Sequence, residues 1–376
     1  MVLEEGGWNL GPTTRVFAGV SVGRTSGTLK LAILRSRGQG WQWRAQHLDG
    51  LTLDQPSPAP MLDIDPILEG LDRLCEETAV PRSAIDSLGI LNLPGDEVGL
   101  AQKLAEATGI TTLCRFGSSS TLGLERPWMA MGDWLLFRSS KTPRIVVDLG
   151  SVVRLTFLPS HPVPRGIISF DVGPGNHFLN ELVHRLSQGR YAFDPSGHFA
   201  VQGQQDEEIL SHWSSHPFLL KAPPRFLDVN LFGERFIESS MTMARERRRA
   251  AKDLLCTASH FIAGCLKDAL HRFLPETGKQ EEVFLVGGGV RNGLLRKLIE
   301  EALWPREIRP STDVGVADEI RSAAHAALLA FMAMENLAIP GVDKVLGTII
   351  PGSKEHWDRW VCHLADRFDA DARRAA

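Results

Sequence analysis

The chain contains few cysteines, and their distribution argues against two classes of protein. There are five among 376 residues, scattered and odd in number, and no two of them form a CxxC pair. We therefore expect neither a disulfide-stapled secreted domain nor a zinc knuckle. The sequence also lacks an uninterrupted apolar run of about 18 residues, which a transmembrane helix would need.

A strong charge of one sign is missing as well. The formal net charge is −4, which gives no general reason to expect nucleic-acid binding. The N-terminal segment MVLEEGGWNLGP is acidic and lacks the basic and then apolar start of a signal peptide. These absences predict a cytoplasmic protein that binds neither nucleic acid nor membranes.

The length and composition fit a globular protein of two domains. Hydrophobic residues make up 43% of the chain and charged residues 23%, and 376 residues exceed one ordinary core. A strand, a glycine-containing turn and a return strand occur twice, first as VFAGVSV-GRTSG-TLKLAIL and again as RIVVD-LGS-VVRLTFL. Each hairpin opens a mixed α/β segment.

This repetition predicts an α/β fold of two actin-like (ribonuclease H-like) lobes with the active cleft between them. We expect each lobe to be a mixed five-stranded sheet flanked by helices. The first lobe would comprise residues 1–142 with about 345–376, and the second residues 143–344. Each hairpin turn would then face the nucleotide phosphates from its own lobe.

Three glycine-containing turns are candidates for phosphate or nucleotide contact. Backbone N–H groups in such turns can surround a phosphate oxygen. The first is Gly23-Arg24-Thr25-Ser26-Gly27, the second is Gly150-Ser151 after Asp148, and the third is Gly287-Gly288-Gly289, with Asn292 in the following turn. Each could instead be a turn with only a structural role. The third turn fits neither GxGxxG nor a P-loop, because the acidic partner and the GK[ST] ending are absent.

The most informative motif is Phe170-Asp171-Val172-Gly173-Pro174-Gly175-Asn176. We expect Asp171 at the carboxyl end of a strand, where open α/β sheets place ligand groups, and Asn176 at the start of the next helix. A carboxylate held there can accept a proton from a hydroxyl or water, as phosphoryl transfer requires. A plain strand-to-helix turn explains the glycines and the asparagine, but it explains the aspartate less well. The histidines show no HExxH spacing, so we expect no dedicated metal site among them.

The motifs, in this order, resemble the anhydro-N-acetylmuramic acid kinases of the actin/hexokinase superfamily. The most specific match is FDVGPGNHFLNELV, supported by YAFDPSGHFAVQG, VFLVGGGVRNGLL, STDVGVADE and VLGTIIPG. The resemblance implies ATP and Mg²⁺ as cofactors, a small sugar as substrate, and a homodimer. It implies that Asp171 is the general base and that Gly173, Gly175 and Asn176, with the three turns, lie along the nucleotide.

Several loops depart from the family pattern. The second hairpin reads Gly150-Ser151-Val152-Val153-Arg154 where the family has Gly-Gly-Ile-Ala-Asn, so Arg154 stands in place of an asparagine. In the first hairpin Gly27 replaces an aspartate. As a whole, the resemblance still implies a kinase that opens the 1,6-anhydro ring and phosphorylates the 6-oxygen in peptidoglycan recycling. The replaced loops leave two alternatives open: a pseudokinase that binds nucleotide or a partner, and a kinase for another substrate.

Overall fold

The computed structural model describes residues 14–22, 28–38, 43–53, 63–93, 95–116, 127–276, 280–338, 345 and 347–375. The strands are β1 Thr14–Val22, β2 Leu29–Arg37, β3 Arg44–Leu53, β4 Ser87–Leu91, β5 Thr112–Cys114, β6 Arg144–Leu149, β7 Val152–Leu158, β8 Ile168–Pro174, β9 Glu282–Val286, β10 Glu307–Arg309 and β11 Thr348–Ile350. The α-helices are α1 Asp65–Thr78, α2 Glu97–Thr108, α3 Pro127–Phe137, α4 Asn176–Leu186, α5 Glu207–Ser214, α6 Pro217–Leu220, α7 Glu234–Glu246, α8 Ala251–Phe273, α9 Gly293–Leu303, α10 Arg321–Met334 and α11 Lys354–Ala375.

The chain divides into two compact units. The first contains the residues up to Arg138, the segment His161–Arg165 and the residues from Thr312 onward. The second contains Ser139–Ser160 and Gly166–Ser311. Among the described helices, none has the length and apolar character that crossing a bilayer requires.

The first unit is built on a sheet of six strands in the order β11-β5-β4-β1-β2-β3. Strands β1 to β3 form an antiparallel meander, and β4 pairs in parallel with β1. Helix α10 packs on the middle of this sheet. A Cβ atom at Gly19 would lie 2.0 Å from the carbonyl oxygen of Ala323, and one at Gly89 would lie 2.0 Å from that of Ala326. The two glycines therefore let the helix backbone rest directly on β1 and β4.

The position of α10 differs from the sequence-based division of the chain. That division assigned the residues before about 345 to the second lobe, whereas the segment from Thr312 onward belongs to the first unit. The small residues on both surfaces explain the difference, because the alanine-rich face of α10 fits against strand glycines that are distant in sequence. Strand β11 also joins this sheet, as an antiparallel partner of β5, which adds a strand to the five expected.

The second unit repeats the same strand order. Its five strands are arranged β10-β9-β6-β7-β8, with β6, β7 and β8 antiparallel and with β9 and β10 added in parallel. Helix α8 lies against this sheet, and edge-to-face contacts of Phe178 with Trp213, Phe232 and Phe261 fill the core beside it. The prediction of an α/β protein with two such sheets is confirmed.

Strand direction sets the location of the second unit's turns. Strands β6 and β8 both run antiparallel to β7, and β9 runs parallel to β6. The carboxyl ends of β6, β8 and β9 therefore lie at one edge of the sheet. Ligand groups of α/β proteins are usually placed at this edge.

Candidate nucleotide and catalytic site in the second unit

Backbone hydrogen bonds join the turn after β6 to the start of α4. The amide of Asn176 donates to the carbonyl of Gly150 at 2.8 Å, and the amide of His177 donates to the carbonyl of Ser151 at 3.2 Å. The side-chain Nδ2 of Asn176 donates to the carbonyl of Leu149 at 3.0 Å. The Gly-Pro-Gly-Asn turn and the second hairpin turn, predicted separately, are therefore one connected structure.

The turn after β9 closes on the same structure. Gly287 has a φ of +91°, and a Cβ there would lie 2.4 Å from Oδ1 of Asp148. A Cβ at Gly289 would lie 2.8 Å from the carbonyl oxygen of Leu149 and 3.1 Å from Oδ1 of Asn176. A Cβ at Gly288 would meet its nearest atom, Nδ2 of Asn176, only at 3.5 Å. Gly287 and Gly289 thus permit an approach of backbones that other residues would block.

Two of the predicted contact residues have structural roles in the described geometry. Asn292 is the N-cap of α9, because its Oδ1 accepts a hydrogen bond from the amide of Leu295 at 3.0 Å. Gly173 faces α8, where a Cβ would lie 3.3 Å from Cβ of Cys265. Gly175 belongs to the connected turns, since a Cβ there would lie 2.5 Å from the carbonyl oxygen of Gly150.

Gly23, Arg24, Thr25 and Ser26 lie outside the described residues. The preceding strand β1 ends at Val22 and the following strand β2 begins at Leu29, so the expected hairpin itself is present. The phosphate contact suggested for this turn remains a prediction.

The sequence suggested that Asp171 ends its strand, but the structure places it inside β8. The strand continues through Gly173 and Pro174, because these two residues still pair with Val153 and Val152 of β7. The side chain is buried, with 4% of the residue exposed. A buried carboxylate needs partners, since an unpaired one would be strongly destabilising.

The carboxylate of Asp171 has those partners. Its Oδ1 accepts hydrogen bonds from Nε of Arg154 at 2.9 Å and from Nη2 at 2.7 Å, and its Oδ2 accepts one from the amide of Leu227 at 2.8 Å. The arginine is also buried. Charge-assisted hydrogen bonds of this kind are stronger than neutral ones.

The backbone of Asp171 is held by Arg225. Its amide donates to the carbonyl of Arg225 at 3.0 Å, and its carbonyl accepts from Nε of Arg225 at 2.9 Å. The guanidinium also donates to the carbonyls of Val172, Leu219 and Lys221. Burial among aromatic rings lowers the pKa of Arg225, which still has a full set of carbonyl acceptors.

Charged residues form a row across three strands at this edge. Asp148 of β6 is directly opposite Arg154 of β7, and Arg154 is opposite Asp171 of β8, with a bulge between Val153 and Arg154. Directly opposed residues of an antiparallel pair lie on one face of a sheet. The row places one guanidinium between two carboxylates.

Sequence reasoning did not assign Arg154 or Arg225 to the site. The sequence could have revealed Arg154, because a short hairpin turn at Gly150-Ser151 places it opposite Asp148 on the neighbouring strand. Arg225 lies in a segment without regular secondary structure, and its partners are carbonyls of residues that no periodic pattern connects. Only the folded chain brings them together.

The described geometry is that of an α/β protein built from two similar units. Two α/β units share a ribonuclease H-like strand order, and one of them gathers glycine turns and a buried aspartate at the carboxyl edge of its sheet. The model of the family described as "Anhydro-N-acetylmuramic acid kinase" matches residues 96–351, which is more than half of the chain. This chain belongs to that family.

Individual relatives carry the same description. An anhydro-N-acetylmuramic acid kinase from Cyanothece sp. is 30% identical over 65% of this chain and 65% of its own length. One from Salinibacter ruber is 27% identical over 70% of this chain and 71% of its own length. Among solved structures, the activator of the 2-hydroxyisocaproyl-CoA dehydratase from Clostridium difficile, with bound ADPNP, gives a TM-score of 0.45 at 14% identity over 84% of this chain and 94% of that chain. This structural likeness is too low to support a functional conclusion.

Proposed function

We propose that this chain is an ATP-dependent kinase that opens the ring of 1,6-anhydro-N-acetylmuramic acid and phosphorylates the 6-oxygen. Family membership supports the substrate class, although the matched region covers 65% of the Cyanothece relative. The observation that carries the proposal is buried Asp171 on β8, the strand that leads into the Gly-Pro-Gly-Asn turn and so into the connected turns after β6 and β9. The proposal includes a homodimer and a cytoplasmic role in peptidoglycan recycling.

The turns are suited to a nucleotide because three glycine-containing backbones come together there. Gly287 and Gly175 let the turns pack against Asp148 and Gly150 at distances that a Cβ would not allow. Backbone N–H groups gathered in glycine-containing turns can surround a phosphate oxygen. The carboxylate of Asp148, beside Gly287, would supply the oxygen ligand that Mg²⁺ prefers. Bound MgATP supplies the transferred phosphoryl group.

Asp171 would act on the water that opens the ring. It accepts a proton from the water as the water oxygen bonds to C1 and the bond between C1 and the bridging oxygen breaks. The released 6-oxygen would then take the phosphoryl group, whose bond to ADP breaks so that ADP is the leaving group. The chain's own contribution is therefore to orient the carboxylate, through Arg225 and Leu227, and to hold the water's proton at Asp171.

The test is phosphorylation of purified 1,6-anhydro-N-acetylmuramic acid by wild type and by Asp171→Asn. We expect kcat to fall by about 10²-fold or more, because the base is lost, while MgATP still binds in calorimetry. Asp206→Asn is the matched control. It removes another buried and ion-paired aspartate of the same unit, and we expect an unchanged kcat.

The outcomes separate the parts of the proposal. Normal turnover by Asp171→Asn would show that this residue is not the base. A wild-type protein that binds no MgATP and forms no sugar phosphate would refute the kinase function itself.

A further inference from the structure

We propose that Arg154 restrains the base, so that Oδ1 of Asp171 is available for proton transfer only after this ion pair opens. This inference rests on the proposed function and concerns its regulation. Arg154 would then be a positioning residue that keeps the wild-type enzyme slow, and replacing it by a neutral residue would speed turnover.

The first support for this inference comes from the hydrogen bonds to the carboxylate of Asp171. A carboxylate offers about four acceptor positions. Three of them at Asp171 are occupied, two on Oδ1 by Arg154 and one on Oδ2 by the amide of Leu227. A proton arriving at Oδ1 would have to displace a guanidinium N–H. The ion pair must therefore open before this oxygen can act as a base.

Burial makes the opening slow. Only 5% of Arg154 and 4% of Asp171 is exposed, so bulk water cannot freely replace the donors as it does for a surface pair. Asp171 is held by its backbone, whose amide and carbonyl are both bonded to Arg225, and by Oδ2, which accepts from the amide of Leu227. The mobile partner in this pair is therefore the arginine side chain.

The strand register supplies a second carboxylate for the guanidinium. Asp148 lies directly opposite Arg154 on β6, on the side away from Asp171. A guanidinium between two carboxylates can strengthen its interaction with one as it leaves the other. Movement of Arg154 toward Asp148 would expose Oδ1 of Asp171 without leaving a buried cation unpaired.

The experiment compares kcat and KM for ATP in wild type, Arg154→Asn and Arg154→Lys. The matched control is Arg144→Asn, which breaks another ion pair of the same sheet, between Arg144 and Glu282 at 2.7 Å, at the opposite ends of the strands. All variants are first checked by thermal unfolding and by calorimetry with MgATP.

We expect Arg154→Asn to raise kcat at least tenfold with KM for ATP changed by less than twofold. Arg154→Lys keeps the charge but loses the paired donors, so a rise of about two- to fivefold is expected. Arg144→Asn should leave both readouts unchanged. If Arg154→Asn does not fold, the lysine variant decides.

An unchanged or lower kcat in folded Arg154 variants, with MgATP still bound, overturns the restraint and leaves the kinase proposal standing. If the sugar is not phosphorylated by any variant but Arg154→Asn alone gains ATP hydrolysis, the restraint is supported and the sugar assignment fails. If no variant turns over ATP with either the sugar or water, the restraint is overturned as well.

Discussion

The two units use the same strand order for different purposes. In the first, β1 carries Ser21 at the position before the last strand residue, opposite Lys30 of β2, which in turn is opposite Thr52 of β3. In the second, the corresponding row is Asp148, Arg154 and Asp171. The shared strand order therefore does not determine which side chains occupy this row.

The buried charges show the same contrast. Asp171 of the second unit is buried within the sheet row, whereas Thr52 at the corresponding position is exposed. One buried acid of the first unit, Asp133, instead pairs with Arg321 at 2.9 Å and joins α3 to α10. This pair joins two helices, whereas the pair of Arg154 and Asp171 joins two strands of one sheet.

Glycines distinguish the units in a way that mutation can test. The first unit places Gly19 and Gly89 under a helix, and the second places Gly175 and Gly287 at turns. If this contrast is correct, alanine at the first pair should mainly reduce stability. Alanine at the second pair should mainly reduce nucleotide binding.

The largest expected effect is on folding of the first unit. Gly89→Ala would bring a Cβ within 2.0 Å of the carbonyl oxygen of Ala326, so α10 must move away from the sheet. We expect a loss of about 3 kcal/mol in the free energy of unfolding, measured by urea denaturation. Gly264→Ala on α8 is the control, because no atom lies within 4 Å of its Cβ, and it should stabilise by about 0.5–1 kcal/mol. A Gly89→Ala variant as stable as wild type would contradict the packing argument.

A smaller change in stability is expected at the turn after β9. Gly287→Ala would force a Cβ to 2.4 Å from Oδ1 of Asp148 at a positive φ, which costs roughly 1–3 kcal/mol. We expect calorimetry to show at least tenfold weaker MgATP binding. Its neighbour Gly288 has room for a Cβ, so Gly288→Ala should leave stability nearly unchanged. Equal binding by wild type and Gly287→Ala would remove this turn from the proposed site.

The smallest expected effect is a loss of stability that occurs only at acidic pH. Burial raises the pKa of Asp206, but hydrogen bonds from the amide of Ile209 and from Arg247 and Arg249 outweigh it and lower the pKa to about 2. An unfolded aspartate has a pKa of about 3.9. The stabilisation is thus complete above about pH 4 and is lost as pH falls toward 2.

Asp206→Asn should remove this acid-dependent loss. Thermal midpoints of wild type should fall by a few degrees between pH 4 and pH 2, relative to those of the variant. Parallel curves for the two proteins would show that Asp206 does not contribute to acid sensitivity.

Local signals account for the part of the fold that the sequence predicted. Both hairpins, the helix that begins at Asn176 and the strand before Gly287 follow from alternating apolar residues and turn-forming glycines. Such signals act over a few residues, so they can be recognised without knowledge of the rest of the chain.

The remaining features depend on contacts between distant segments. The position of α10 depends on glycines of β1 and β4, and the backbone of Asp171 is held by Arg225 from an irregular segment. The sequence singled out Asp171 but could not reveal that Arg154 binds it. The capping role of Asn292 likewise becomes visible only when α9 is in place.

The packing of α10 on β1 and β4 also has a consequence for synthesis at the ribosome. The second unit is complete once Ser311 has emerged, so it has all its own strands before α10 is translated. The sheet of β1 to β4 emerges much earlier, but its glycine-lined face stays uncovered until α10 arrives. Nascent chains arrested before Arg321 should therefore contain a protease-resistant second unit and an N-terminal segment that chaperones still bind.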